Sequence, residues 1–117
     1  MDVTKTIEAH AQWKTKFRAA ISKQETLDVT AIAKDNCCEL GQWLHGDGRK
    51  RHGTLASFKD CVAKHAAFHT EAGKVARLIN AKKMQEAEQQ LANGTVFSMA
   101  STSVGVALSR LKADAKL

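Results

Sequence analysis

Two histidines, His65 and His69, stand four residues apart in the run Cys61-Val62-Ala63-Lys64-His65-Ala66-Ala67-Phe68-His69, which contains no glycine or proline. On an α-helix, residues i and i+4 lie one turn apart on the same face, so both imidazoles point the same way and could grip one ion. Leu55, Phe58, Val62, His65, His69, Ala72, Ala76 and Ile79 alternate at spacings of three and four, the seam of a helix packed in a bundle. The histidines therefore occupy core positions, where an imidazole needs a hydrogen-bond partner or a metal. The pair by itself is compatible with either. A third histidine, His10, and the thiols Cys37, Cys38 and Cys61 are the remaining candidate ligands. Imidazole and thiolate together suit Zn²⁺, which takes four ligands tetrahedrally at about 2.0–2.3 Å. The Glu-x-x-His pairs of carboxylate-bridged di-iron bundles are absent, as is a Cys-x-x-Cys-His haem-attachment motif.

These side chains must be positioned by helices. Proline and tyrosine are absent, and the good helix formers Ala, Lys, Gln, Glu and Leu are abundant. A first helix is expected over about 4–22, with Val3, Ile7, His10, Trp13, Phe17 and Ile21 as its apolar stripe. Asp28 can cap a second helix reaching about Leu44. At 100° per residue, Cys37 falls on its apolar side with Ala33, Leu40 and Leu44, and Cys38 is turned away. Residues 46–53, rich in glycine and charge, read as a loop. Thr54 can cap the third helix, which ends near Asn80. A last helical segment over about 83–112 is interrupted or kinked at Asn93-Gly94. Ser98, Ser101 and Gly105 on it either allow a close helix approach or are merely tolerated. No repeat or linker is evident, so residues 1–117 read as one all-α domain, an antiparallel four-helix bundle joined by short connections.

The chain carries 18 basic and 12 acidic residues, a formal net charge of +6. The lysines are scattered and few aromatic residues interleave with them, so a nucleic-acid partner is not expected. No run approaches the roughly 18 apolar residues that cross a bilayer, and the N-terminus lacks the apolar region of a signal peptide. A cytoplasmic location, with no membrane partner, follows as the expectation. Three cysteines cannot form a complete disulfide framework, leaving at least one thiol for packing, metal or redox chemistry.

Three segments carry a family resemblance. Cys38-Glu39-Leu40-Gly41-Gln42-Trp43 resembles the Cys-x-Leu-Gly-x-Trp signature of chemoreceptor zinc-binding (CZB) domains. His10-Ala11-Gln12-Trp13 is similar to the first-helix His-x-x-Trp element of that family, and His65-Ala66-Ala67-Phe68-His69 to its third-helix His-x-x-x-His element. The resemblance implies a four-helix bundle with zinc bound between its helices by His10, Cys38, His65 and His69. It also implies a role in sensing zinc or oxidants such as hypochlorous acid, as in bacterial chemoreceptors and diguanylate cyclases. Motif and periodicity disagree over which thiol points inward. A restart of the second helix near Asp35-Asn36 would turn Cys38 in and leave Cys37 as core filler or as a thiol able to resolve an oxidised Cys38. Cys61 reads as a small buried hydrophobe, Trp13 and Trp43 as core or site-shielding aromatics, and His45 and His52 as solvated. Asp35 and Glu39 could accept from a ligand imidazole, although salt bridges or solvent suit them as well.

Four protein ligands close a tetrahedral zinc to water and substrate, so the expectation is a sensor and not an enzyme. The single zinc-bound thiolate would be the reactive group. The 117 residues hold no receptor or cyclase domain, so output is expected through a signalling partner of a chemoreceptor or diguanylate cyclase pathway, or through a homodimer. Two competing readings are a metal-free basic helical module and an open His₃ metalloenzyme in which Cys38 takes no part.

Overall fold

The computed structural model describes residues 1–117 and contains helices and no strand. The elements are α1 (Val3–Ala11), α2 (Trp13–Lys23), α3 (Val29–Ala33), α4 (Glu39–Leu44), α5 (Asp47–His52), α6 (Ala56–Asn80), α7 (Met84–Gln90) and α8 (Val96–Ala115). They group into four rods running alternately up and down. In the first rod, α1 and α2 are separated only at Gln12, whose backbone stays right-handed helical (φ −71°, ψ −12°) and continues the hydrogen-bond ladder on both sides. It ends where Gln24 adopts the left-handed conformation (φ 53°) and the Glu25 N–H donates back to the Ala20 carbonyl.

Contacts fix the directions. Against the last rod, Ile7 neighbours Gly105, Phe17 stacks near Phe97 and Arg18 pairs with Glu88, so the two run antiparallel. At Gly105 an added Cβ would meet Ile7 at an ordinary 3.9 Å, so the small residue there is tolerated and not demanded. The second rod descends α6: Leu27 lies at Asn80, Ile32 at His69 and Cys38 at His65. Asn80 grips Leu27 through both backbone groups, accepting from its N–H at 2.7 Å and donating to its carbonyl at 2.8 Å. The core runs along α6 and α8, with Phe68, Ala72, Ala76, Ile79, Val104, Leu108 and Leu111 buried.

The structure departs from the expected boundaries in the second rod. The continuous helix anticipated over 28–44 is two pieces. Asp28 does cap α3, accepting from the Ala31 N–H at 3.1 Å. Lys34 then takes an extended conformation (φ −84°, ψ 133°) and the helix stops. A new helix starts at Cys38, also extended (φ −81°, ψ 164°). Residues 46–53 are not simply a loop, because α5 forms there: Gly48 sits so close to the Trp43 indole that a Cβ would lie 2.7 Å from it. Thr54 does not cap α6; Leu55 occupies that position, without a side-chain bond. The break at Asn93-Gly94 separates α7 from α8, with Gly94 at φ 85° and Thr95 capping α8 by accepting from the Ser98 N–H at 3.2 Å.

Candidate metal centre

The break in the second rod builds the site. A helix's last carbonyls have no partner within it, and because α3 stops, the Ile32 carbonyl is free to accept from His69 Nδ1 at 2.8 Å. The restart then makes Cys38 the N-cap of α4, with Sγ accepting from the Gly41 N–H at 3.3 Å. This orientation turns Cys38 inward and leaves Cys37 exposed, its Sγ 3.6 Å from Asn36 Oδ1. Unbroken-helix periodicity picked Cys37 and is corrected here by the change of register at residues 34–38. Gly41 is part of the same device. The backbone of Asp35 crosses the first turn of α4 so closely that a Cβ on Gly41 would fall 1.8 Å from the Asp35 carbonyl oxygen. Within the motif, Leu40 and Leu44 fill the core and Trp43 seats α5.

His10 of the first rod, Cys38 of the second and His65 and His69 of α6 converge, with one donor atom from each lying within 4.8 Å of every other. His65 Nε2 and His69 Nε2 are 3.0 Å apart, and Cys38 Sγ lies 3.2 and 3.5 Å from them. In a tetrahedral zinc site the bond lengths set edges of about 3.3 Å between nitrogens and about 3.6 Å between nitrogen and sulfur, so these separations are close to those of a ligand set. His10 Nδ1 donates to the Thr6 carbonyl at 2.9 Å, and His69 Nδ1 donates to Ile32. Since carbonyls only accept, both rings carry their proton on Nδ1 and present a bare Nε2 lone pair inward. His10 Nε2 is buried with no hydrogen-bond partner. Lone pairs facing one another in a dry interior are costly unless a cation lies between them. The residues fit zinc.

Electrostatics agree. Burial, followed by the neighbouring charges of His69 and His10, pushes the His65 pKa down to about 3. Burial also lowers that of His10, against the Thr6 hydrogen bond. It raises the Cys38 thiol, opposed by the N–H groups of Gly41 and Leu40. His10 and His65 are thus held toward the neutral form a metal requires, while the thiol needs the metal's charge to ionise.

The other singled-out residues lie outside this cluster. The Asp35 carboxylate pairs with His45 Nε2 at 3.1 Å, not with a cluster imidazole, and backbone carbonyls take the role considered for it. Glu39 is exposed. Cys61 is fully buried in the core, its thiol pushed up to about 11 by burial. Adjacent Cα atoms lie about 3.8 Å apart, below the usual disulfide range of about 4.4–6.8 Å, so Cys37 is poorly placed to resolve an oxidised Cys38 by closing a bond with it. Trp13, half-buried, packs against Phe17 with Lys16 over its ring, and Trp43 packs toward Phe58 and His52. His52 is half-buried there and not solvated; His45 is exposed, but paired. Sequence reasoning did not find Thr6 and Ile32, whose carbonyls orient two rings. For Thr6 a signal existed, since it precedes His10 by four residues on one helix. For Ile32 none did, because its carbonyl is free only once α3 stops. Gly73 was also missed: a Cβ there would come 2.8 Å from Ala33 Cβ, so it lets α3 lie against α6.

A bundle of antiparallel helices enclosing three imidazoles and one thiol defines a helical zinc-binding domain. The family model for the chemoreceptor zinc-binding domain matches residues 10–76, more than half of the chain, and the protein belongs to that family. The match begins at His10 and includes all four cluster residues. No curated protein and no solved structure matches the chain.

Proposed function

We propose that His10, Cys38, His65 and His69 are the zinc ligands, and that the domain senses zinc or an oxidant through Cys38 and signals to a protein partner without catalysing a reaction. One observation carries this reading. Cys38 Sγ touches two cluster imidazoles and at the same time caps α4 through the Gly41 N–H. Whatever alters that sulfur alters the start of a helix. Bound zinc supplies positive charge that keeps Cys38 as the thiolate at neutral pH. His65 and His69, rooted on one long helix and buried, form the rigid half of the site.

Hypochlorous acid oxidises such a thiolate. The sulfur lone pair takes chlorine and hydroxide leaves with the bonding electrons; water then displaces chloride from the sulfenyl chloride, giving a sulfenic acid and a proton. The neutral sulfenic acid is a poorer metal ligand and a poorer acceptor for the Gly41 N–H than the thiolate. The α4 N-terminus loses its cap, and α5, seated on Trp43, moves with it. Loss of zinc acts through the same sulfur.

Cys38→Ala tests the reading. Losing one of four ligands should weaken zinc binding on the order of 100-fold, read by competition with a chromogenic chelator, and should abolish zinc release by hypochlorous acid. Unchanged affinity together with an unchanged oxidant response would sink it. Cobalt substitution separates this reading from an open His₃ centre, since only thiolate ligation gives a sulfur charge-transfer band.

A further inference from the structure

The four cluster residues are not equally enclosed. His65 and His69 are 0 % and 2 % exposed; His10, also buried at 6 %, and half-buried Cys38 line a cavity of about 570 Å³ opening between the first rod and α4. Trp13 and Trp43 are among its walls, and Ala9 lies along it on the exposed side of α1. The volume falls in the range that accommodates small organic ligands, roughly 300–1,000 Å³. Its surroundings carry both signs, with Lys16 and Glu39 as examples, so charge alone selects no ligand. What distinguishes it is that two of the four cluster residues, His10 and Cys38, are among its lining, so an entering molecule with metal-binding donor atoms would meet a metal held there.

We propose that this cavity is a port through which a small chelating acid would reach the zinc from the His10–Cys38 side, so that metal leaves by ligand-assisted substitution. The proposal rests on the zinc reading above. His10 and Cys38 would be the ligands exchanged first, each replaced by a nitrogen or carboxylate oxygen of the chelator with the freed Cys38 thiolate taking a proton from water, and His65 and His69 would hold the metal longest. The alternative route, local opening of the bundle, proceeds at a rate set by the protein and is indifferent to chelator concentration.

The test uses the full chain loaded with zinc, its metal content first confirmed by elemental analysis, with dipicolinate as the probe and released zinc followed over time. The release rate is expected to rise in proportion to dipicolinate concentration. Ala9→Trp, which adds bulk at a cavity-lining position on the exposed side of α1, should slow release on the order of tenfold while equilibrium zinc content stays unchanged. Trp13→Ala should speed release, so a folding failure of the first variant still leaves a reading. A rate independent of dipicolinate, or rates insensitive to both substitutions in fully loaded protein, overturns the port alone. Zinc-free wild-type protein overturns the port and the zinc reading together.

Discussion

At the residue scale, the cluster is a solution to a hydrogen-bonding problem. Two of its three imidazoles hand their Nδ1 protons to carbonyls, of Thr6 and of Ile32, and this fixes the tautomer that points Nε2 inward. The chemistry is built for a neutral ring. Both His10 and His65 have folded-state pKa values below the ordinary 6.5, by burial first, with His65 at about 3. In the metal-free protein the unfolded chain therefore binds more protons than the folded one below about pH 6.5. Their contribution to stability is present above that value and is lost as the pH falls toward the folded values. The thermal midpoint of metal-free protein should decline steadily as pH is lowered from about 6.5 toward 3. A flat profile across that window, measured by circular dichroism, would contradict the assignment of neutral buried rings. Acid also opposes zinc binding, because protons compete for the same lone pairs.

At the element scale, the decisive feature is the stop and restart between α3 and α4. An unbroken helix would place Cys37 inward, keep the Ile32 carbonyl in its own ladder and leave His69 Nδ1 without that acceptor. The break is held by three local devices: the cap from Cys38, the Asp35–His45 pair and the missing Cβ of Gly41. Gly41 is the least replaceable of these. A methyl group there would overlap the Asp35 carbonyl, which is backbone and cannot rotate away. Gly41→Ala is expected to cost more than about 2 kcal/mol in stability and to lower zinc affinity, because the loop must move and Cys38 moves with it. Denaturant midpoint and metal competition check the two effects separately. An exposed helix position would instead gain slightly from the same change.

At the scale of the whole molecule, the cluster joins the first, second and third rods but not the fourth, which is held to α6 by apolar packing alone around Phe97, Val104 and Leu108. The body is elongated, 43 × 25 × 19 Å, so a cross-link among three rods acts on one part of it. A ligand binding only the folded state adds about 4 kcal/mol when present at a thousand times its dissociation constant. Chelating the zinc should thus lower the melting temperature without abolishing helicity. Amide exchange should locate the loss: residues 34–45 lose protection first, while α6 and α8 retain theirs. Uniform loss of protection along the chain would argue against a localised switch on the second rod.

Much of this is carried by side-chain pattern. Helical periodicity places His10, His65 and His69 in core seams. Residue types suit zinc, to which the family motif also points, and the composition, rich in strong helix formers, favours helices. Those properties are local, because an i, i+4 pair lies on one helix face whatever surrounds it. The restart that turns Cys38 inward was legible only as a conflict between periodicity and motif. It depends on where the Asp35 backbone crosses α4, on His45 reaching back to Asp35, and on a carbonyl of the second rod finding a ring of the third. The last of these joins residues 37 apart in the chain and the first two depend on an irregular loop, and no helical spacing rule encodes either. The same holds for α5, which forms where glycines suggest a loop because the Trp43 ring gives it a surface to pack on. The sequence by itself determined the helices, the face each histidine occupies and, through the motif, Cys38 as the expected thiol. Only the tertiary structure decided how Cys38 is turned toward the histidines, by the stop of α3 and the restart at α4, because that depends on how three rods approach one another.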